Sequence, residues 1–363
     1  MEKQSTINHQ VSTIKRVLIV EDSATVRQYL AHVIDSDPGL EVVGMAKNGE
    51  EAVTLAALKR PDIITMDIHM PRMDGYEATR RIMEECPAPI VIVTSNWEPE
   101  DVKNSFRAID AGALAALEKP PGPGDSRSKP LVAKLLQTLK TMAEVKVVRR
   151  FPRQKRPEAT LEAWPAEGSG VGWQRVEVVA IGASTGGPPV IKTILSGLKQ
   201  GFSVPILIVQ HIAVGFLTGM VEWLDKECGI SVRIGLDGEH ITAGVVYFAP
   251  DGAHMGVSGA GRIVLSTGPS ENGVRPSVSH LFRSMADAYG ARGAGVLLTG
   301  MGKDGAMELA RMKERGAITV AQDKESCVVY GMPAEAVKLN GAVHVLPPEG
   351  ITAFLNSIGK IDL

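Results

Sequence analysis

The sequence predicts an α/β protein made of two doubly wound parallel-sheet domains, and three observations carry that prediction. Short apolar, β-rich runs alternate with amphipathic helical stretches. This alternation runs through the chain twice, and a proline- and charge-rich stretch separates the two series. The length of 363 residues suits two domains and a linker. With 44% hydrophobic and 22% charged residues, the composition excludes wholesale disorder, collagen and coiled coil.

Taken in order, the first series reads VLIVED, VRQYLAHVIDS, EVVGMAK, GEEAVTLAALKR, DIITMDIHMP, YEATRRIMEE, PIVIVTS and DVKNSFRAIDAG. Each short apolar run is bounded by polar residues, as a strand buried on both faces requires, and each intervening stretch has helical spacing. PPGPGDSRSKP can continue neither period and reads as the exit from a domain spanning residues 16 to 125. Residues 126 to 175 form a linker: LVAKLLQTLKTMAEVKVV has helical spacing, and a basic, proline-bearing run follows it. That run is either a solvated connector or a partner-binding segment. The second series, residues 176 to 355, pairs VEVVAIG with STGGPPVIKTILSGL, PILIVQH with FLTGMVEWLDKEC, and GVLLTG with KDGAMELARMKERG. VVYFAPDGAHMGVSGAGRIVLS, with its glycine turns, is expected to be a β-hairpin insertion.

The net charge of −2 offers no field for nucleic acid. The basic run from Lys146 to Arg156 has only Phe151 interleaved, without a helix-turn-helix signal after it. Cys86, Cys228 and Cys327 lack C-x-x-C spacing, which fits a reducing compartment rather than a disulfide framework or thiolate zinc site. No apolar run approaches the ~20 residues that span a bilayer. The expectation is a cytoplasmic protein without membrane insertion.

In an open parallel sheet, residues just past the strand ends converge on one edge. In the first series these are Glu21 and Asp22 after VLIV, Asp67 after DIITM, Thr94 after PIVIV, and Lys119 before Pro120. Adjacent carboxylates offer hard oxygen ligands suited to Mg²⁺. An aspartate can also attack a phosphoryl group to give an aspartyl phosphate, whose charge Mg²⁺ and an ammonium would offset. VLIVEDS, MDIHMPRMDG, VTS and EKP resemble the response-regulator receiver domain. That resemblance implies Asp67 as phosphoacceptor, with Mg²⁺ bound by Glu21, Asp22, Asp67 and the backbone carbonyl of His69. It further implies that Thr94 contacts the phosphoryl oxygens, that Lys119 meets their charge, and that a histidine kinase is the phosphodonor. Ala116 stands where many receivers carry a switching aromatic residue.

In the second series VVAIGASTGGPP is a strand, a glycine-rich turn and a helix start, with Ser184 at the bend. Such a turn can cradle a phosphate on its N–H groups or expose a nucleophilic serine beside an oxyanion hole. The nucleophile reading needs a base and an orienting acid. His211 ends PILIVQH and Asp304 follows GVLLTGMG, so three strand-end residues could meet at one edge. The order serine, histidine, acid differs from that of the α/β-hydrolases, and G-x-S-x-G is absent.

IGASTGG, QH, RPSV, LLTGMGKDG and SCVVYGMPAEAV resemble the catalytic domain of the chemotaxis protein-glutamate methylesterases, the CheB family. The resemblance implies a phosphorylation-activated response regulator of a two-component chemotaxis system. It would hydrolyse glutamate γ-methyl esters on methyl-accepting chemotaxis receptors, release methanol and often deamidate receptor glutamines, with no cofactor for the esterase reaction. Ser184, His211 and Asp304 match the triad, and Thr185 and Met301 flank it. The unphosphorylated receiver would restrict access to the site. A response regulator with a non-enzymatic, partner-binding output is the rival expectation. Three departures from the family pattern stand out: Ile212, Ala213 and Val214 follow His211 in place of Met-Pro-Pro, Ser279 replaces Asp, and Met307 and Glu308 replace Ala-Gly.

Overall fold

A computed structural model describes residues 14–94, 106–145, 147 and 176–358. Two compact units emerge, one built on each parallel sheet. In the first, the strands are β1 (Lys15–Val20), β2 (Leu40–Ala46), β3 (Ile63–Met66), β4 (Ile90–Thr94) and β5 (Ala115–Glu118), in the spatial order β2-β1-β3-β4-β5. Reversal of that order between β1 and β3 creates a crevice at the strand ends. Val20 stands opposite Met66 in the register, so Glu21 and Asp67 leave the sheet side by side. Helices α1 (Ala24–Asp35), α2 (Gly49–Lys59) and α3 (Gly75–Glu85) alternate with the strands. Asn48 and Asp74 cap α2 and α3 by accepting the N–H groups of Glu51 and Glu77, which sets where the polypeptide turns into each helix.

The helix expected in the linker is α4 (Ser128–Met142), with Leu135, Leu139 and Met142 buried. It packs on the first unit: Tyr29 reaches the carbonyl of Pro121 and the hydroxyl of Ser128, and Lys140 pairs with Asp37 at 2.7 Å. Beyond α4, the described part of the expected linker is residues 143–145 and Val147. The remainder of the basic run lies outside the described residues.

The second unit has a seven-stranded parallel sheet in the order β14-β13-β12-β6-β7-β9-β8, with β13 (Ile318–Gln322) and β14 (His344–Leu346) at one edge. Its central strands are β6 (Val178–Ala183), β7 (Ile206–Gln210) and β12 (Gly293–Leu297), fully buried by α5 (Gly187–Ser196), α6 (Phe216–Glu227), α7 (Val278–Ala288) and α8 (Ala306–Glu314). Tyr247, Met255, Phe282, Leu309 and Met312 belong to one core on the face that α7 and α8 cover. Burying a side chain of Phe282's size contributes roughly 2–3 kcal/mol before entropy is counted. The expected hairpin is present as the antiparallel pair β10 (His254–Val257) and β11 (Ile263–Ser266), but its first run does not belong to it: β9 (Val245–Phe248) joins the main sheet beside β7 and β8 (Ser231–Ile234). Tyr247 and Phe248 are wholly buried, so this strand lies within the core rather than in a surface insertion. Among the described residues no helix is long and apolar enough to cross a membrane.

Candidate active site

Ser184 and His211 each follow a registered residue pair, Ala183 opposite Gln210, and Leu297 of the neighbouring β12 stands opposite Gly182. Three adjacent strands therefore deliver Ser184, His211 and the Asp304 loop to one edge. Gly186 takes φ +78°, and Gly300 passes so close that a Cβ there would lie 2.6 Å from Ser184 Cβ. A side chain at either position would displace the serine turn.

His211 Nε2 lies 3.0 Å from Asp304 Oδ2, which leaves Nδ1 as the nitrogen available to the serine. Among the described residues the Ser184 hydroxyl forms no hydrogen bond with the imidazole. The Ser184 N–H is occupied by the Thr299 carbonyl at 3.0 Å, so it is not available to an oxyanion. Thr185 follows directly, its carbonyl accepting the Thr299 hydroxyl at 3.0 Å. Met301 is partly exposed, one residue past the close approach of Gly300.

Asp304 is 3% exposed and saturated with donors. Besides His211, its oxygens accept the Ser277 hydroxyl (2.8 Å), the Asn272 amide (2.9 Å) and the N–H groups of Val278 (2.6 Å) and Ser279 (3.2 Å). The last two open α7, whose N-terminal dipole also favours an anion. Burial would push this carboxyl up, but the bonds from His211, Ser277 and Asn272 hold it far below the usual carboxylate range. It is a fixed anion facing the imidazole. Sequence reasoning does not single out Asn272 or Ser277 as functional, although RPSV contains Ser277.

Two departures from the family pattern touch each other. The Ser279 hydroxyl donates to Glu308 Oε2 at 2.6 Å and accepts the Gly305 N–H at 2.9 Å, while Glu308 faces Arg283 at 3.6 Å. Asp304 thus receives the start of α7, and Ser279 on α7 receives the N-cap of α8.

In the first unit Lys119 Nζ lies 2.7 Å from Glu21 and 3.1 Å from Asp67, and the Asp67 Oδ1 accepts the Ile68 N–H at 2.8 Å. Burial raises the carboxyls of Asp67 and Glu21, and Lys119 only partly counters it. Burial would lower Lys119, but Asp67 and Glu21 outweigh it and hold the ammonium above its ordinary value. Carboxylate oxygens of Glu21, Asp22 and Asp67 gather within 4.8 Å of one another, a hard-oxygen set that fits Mg²⁺. Thr94 ends β4, and its carbonyl accepts the Lys119 N–H at 2.8 Å. The loop that follows lies outside the described residues.

Residues 179–355 match the family described as CheB methylesterase, and residues 17–129 match the response regulator receiver domain. A protein-glutamate methylesterase/protein-glutamine glutaminase of Syntrophus aciditrophicus is 53% identical over 94% of this chain and 97% of its own. One from Geobacter metallireducens is 51% identical over 94% and 98%. Among solved structures, the Thermotoga maritima CheB methylesterase catalytic domain is 36% identical, covering 50% of this chain and 98% of that one, with a TM-score of 0.49. Since the two matches cover nearly all of both parallel sheets and the likeness to relatives runs through nearly the whole sequence, the chain belongs to the CheB family of receiver-linked protein-glutamate methylesterases.

Proposed function

We propose that Ser184, His211 and Asp304 carry the carboxylic-ester hydrolase activity of this family member on glutamate γ-methyl esters of methyl-accepting chemotaxis receptors in the cytoplasm. The observation that supports the assignment is the delivery of these residues by three adjacent strands, with His211 held 3.0 Å from a donor-saturated Asp304. Ser184 Oγ attacks the ester carbonyl while His211 Nδ1 takes its proton. The proton returns to the departing methoxide, which leaves as methanol, and water then cleaves the acyl-serine by the reverse relay. A receptor glutamine would react by the same steps with ammonia as leaving group. Thr185 and Met301 flank the serine and would contribute to the walls or the oxyanion environment of the site. All of these steps use side chains and backbone, so the esterase reaction needs no cofactor.

Asp67 is the phosphoacceptor, with a histidine kinase as donor. Glu21, Asp22, Asp67 and the His69 carbonyl would hold Mg²⁺, which when bound supplies positive charge to the phosphoryl oxygens. Lys119 and Thr94 meet the remaining oxygens, and phosphorylation raises esterase activity.

Methanol release from receptor-bearing membranes or a peptide γ-methyl glutamyl ester tests the reading. Ser184→Ala should lower the rate by about 10³-fold or more with the fold intact. Turnover near that of wild type in this variant would overturn Ser184 as the nucleophile, whereas absence of hydrolysis by the wild-type protein itself would favour the partner-binding output.

A further inference from the structure

Gln210 ends β7 and is 4% exposed. Its single amide nitrogen donates to two carbonyls, those of Ser184 and His211, each at 2.8 Å. Both partners are acceptors only, which fixes the orientation of the amide. We infer that Gln210 is a positioning residue that ties the serine turn to the histidine, setting the distance across which the proton moves. This inference rests on the assignment of Ser184 and His211 given above.

Several features distinguish this amide from ordinary core filling. Among the described residues its oxygen is buried without a hydrogen-bond partner, an arrangement that folded proteins rarely keep unless the group serves elsewhere. Gly187 makes room for it: a Cβ there would collide with the Gln210 oxygen. The Ser184 carbonyl also accepts the Gly187 N–H at 2.9 Å, so it does not depend on Gln210 to be satisfied. What depends on Gln210 is the link itself. Backbone pairing already holds Ala183 beside Gln210, and the His211 N–H donates to the Ala183 carbonyl at 2.9 Å. The amide extends that register one residue beyond the sheet, where the chain would otherwise be governed by two loops.

Gln210→Met keeps the volume and removes both the donors and the orphaned oxygen. In the full chain, hydrolysis of a peptide γ-methyl glutamyl ester should show kcat reduced roughly 10- to 100-fold with KM within about twofold, and an unchanged or higher melting temperature. A fluorophosphonate probe should label Ser184 more slowly by a similar factor, because that reaction uses the same serine and base without the peptide. In Ser184→Ala the substitution should cost nothing further, since residues acting as a unit are not additive. Wild-type kcat and labelling rate in Gln210→Met, with Ser184→Ala inactive, would overturn the positioning role alone. An active Ser184→Ala would instead overturn the nucleophile assignment beneath it. A fall in kcat that tracks loss of folded protein by near-ultraviolet circular dichroism would make the amide structural, and so also overturn it.

Discussion

Asp67, directly after β3, and Asp304, in the loop that follows β12, are nearly equally buried at 7% and 3% exposure, yet the first carboxyl is raised and the second strongly lowered. The difference lies in the donors. Among the described residues Asp67 accepts one N–H and shares one ammonium with Glu21, which leaves its carboxyl raised by burial. Asp304 accepts from two hydroxyl or amide side chains, two N–H groups and His211. On the proposed roles, the carboxylate that reacts is the one with few donors, and the one that stays a fixed charge is surrounded by them.

The largest effect expected from breaking this contrast is in Asp304→Asn. An amide in that place sets its own N–H groups against donors, so the rate of ester hydrolysis should fall by about 10⁴-fold. Unfolding free energy should fall by roughly 3 kcal/mol, since buried donors lose their acceptor. Because the folded carboxyl is lowered, its stabilisation is fully present above the unfolded value of about 4 and is lost as pH falls through the folded value. Denaturant titrations below about pH 4 should therefore find the variant's deficit shrinking. A deficit that is constant over this range would mean that the charge of Asp304 is not what the donors hold.

Asp67→Asn should go the other way. It should abolish phosphoryl transfer from acetyl phosphate in the presence of Mg²⁺, measured by phosphate incorporation. Since the folded carboxyl is raised, wild type is favoured below the unfolded value of about 4 and loses that advantage as pH rises through the folded one. Above that window the uncharged variant should be as stable as wild type or more so, by about 1 kcal/mol. Greater stability of wild type at about pH 7 would show that the Lys119 pairing outweighs the buried charge and would erase the contrast.

How much of this was legible in the sequence follows from what local pattern can encode. Glu21, Asp67, Ser184 and His211 each end a short apolar run, so burial of the strand announced them, and Asp304 lies a few residues past GVLLTG in a glycine-rich loop. The donors of Asp304 carry no such signal. Asn272 and Ser277 lie on a non-periodic segment, 32 and 27 residues before it, and only tertiary packing brings them in. β8, β13 (Ile318–Gln322) and β14 (His344–Leu346) went unsignalled, and β9 read as part of a hairpin because a glycine-rich turn follows it. Short buried runs give no periodicity by which to choose between sheets.

The smallest expected effect concerns the two departures that meet, Ser279 and Glu308, which hold the α7 and α8 starts together around Asp304. Ser279→Asp alone would place a carboxylate where a hydroxyl now donates to Glu308 at 2.6 Å, so repulsion should lower stability by about 1–2 kcal/mol and slow ester hydrolysis several-fold. Glu308→Gly alone removes the acceptor and should cost less, about 1 kcal/mol, much of it from a glycine in the first turn of a helix. Combined, they leave one carboxylate at this junction, carried by α7 instead of α8, with no second carboxylate to repel it, and it can accept the Gly305 N–H in place of the hydroxyl. A double-mutant cycle on unfolding free energy and on kcat should return a favourable coupling of about 1 kcal/mol. Strict additivity would mean that Ser279 and Glu308 adjust independently, and that the order around Asp304 is set by Ser277, Asn272 and the α7 N–H groups alone.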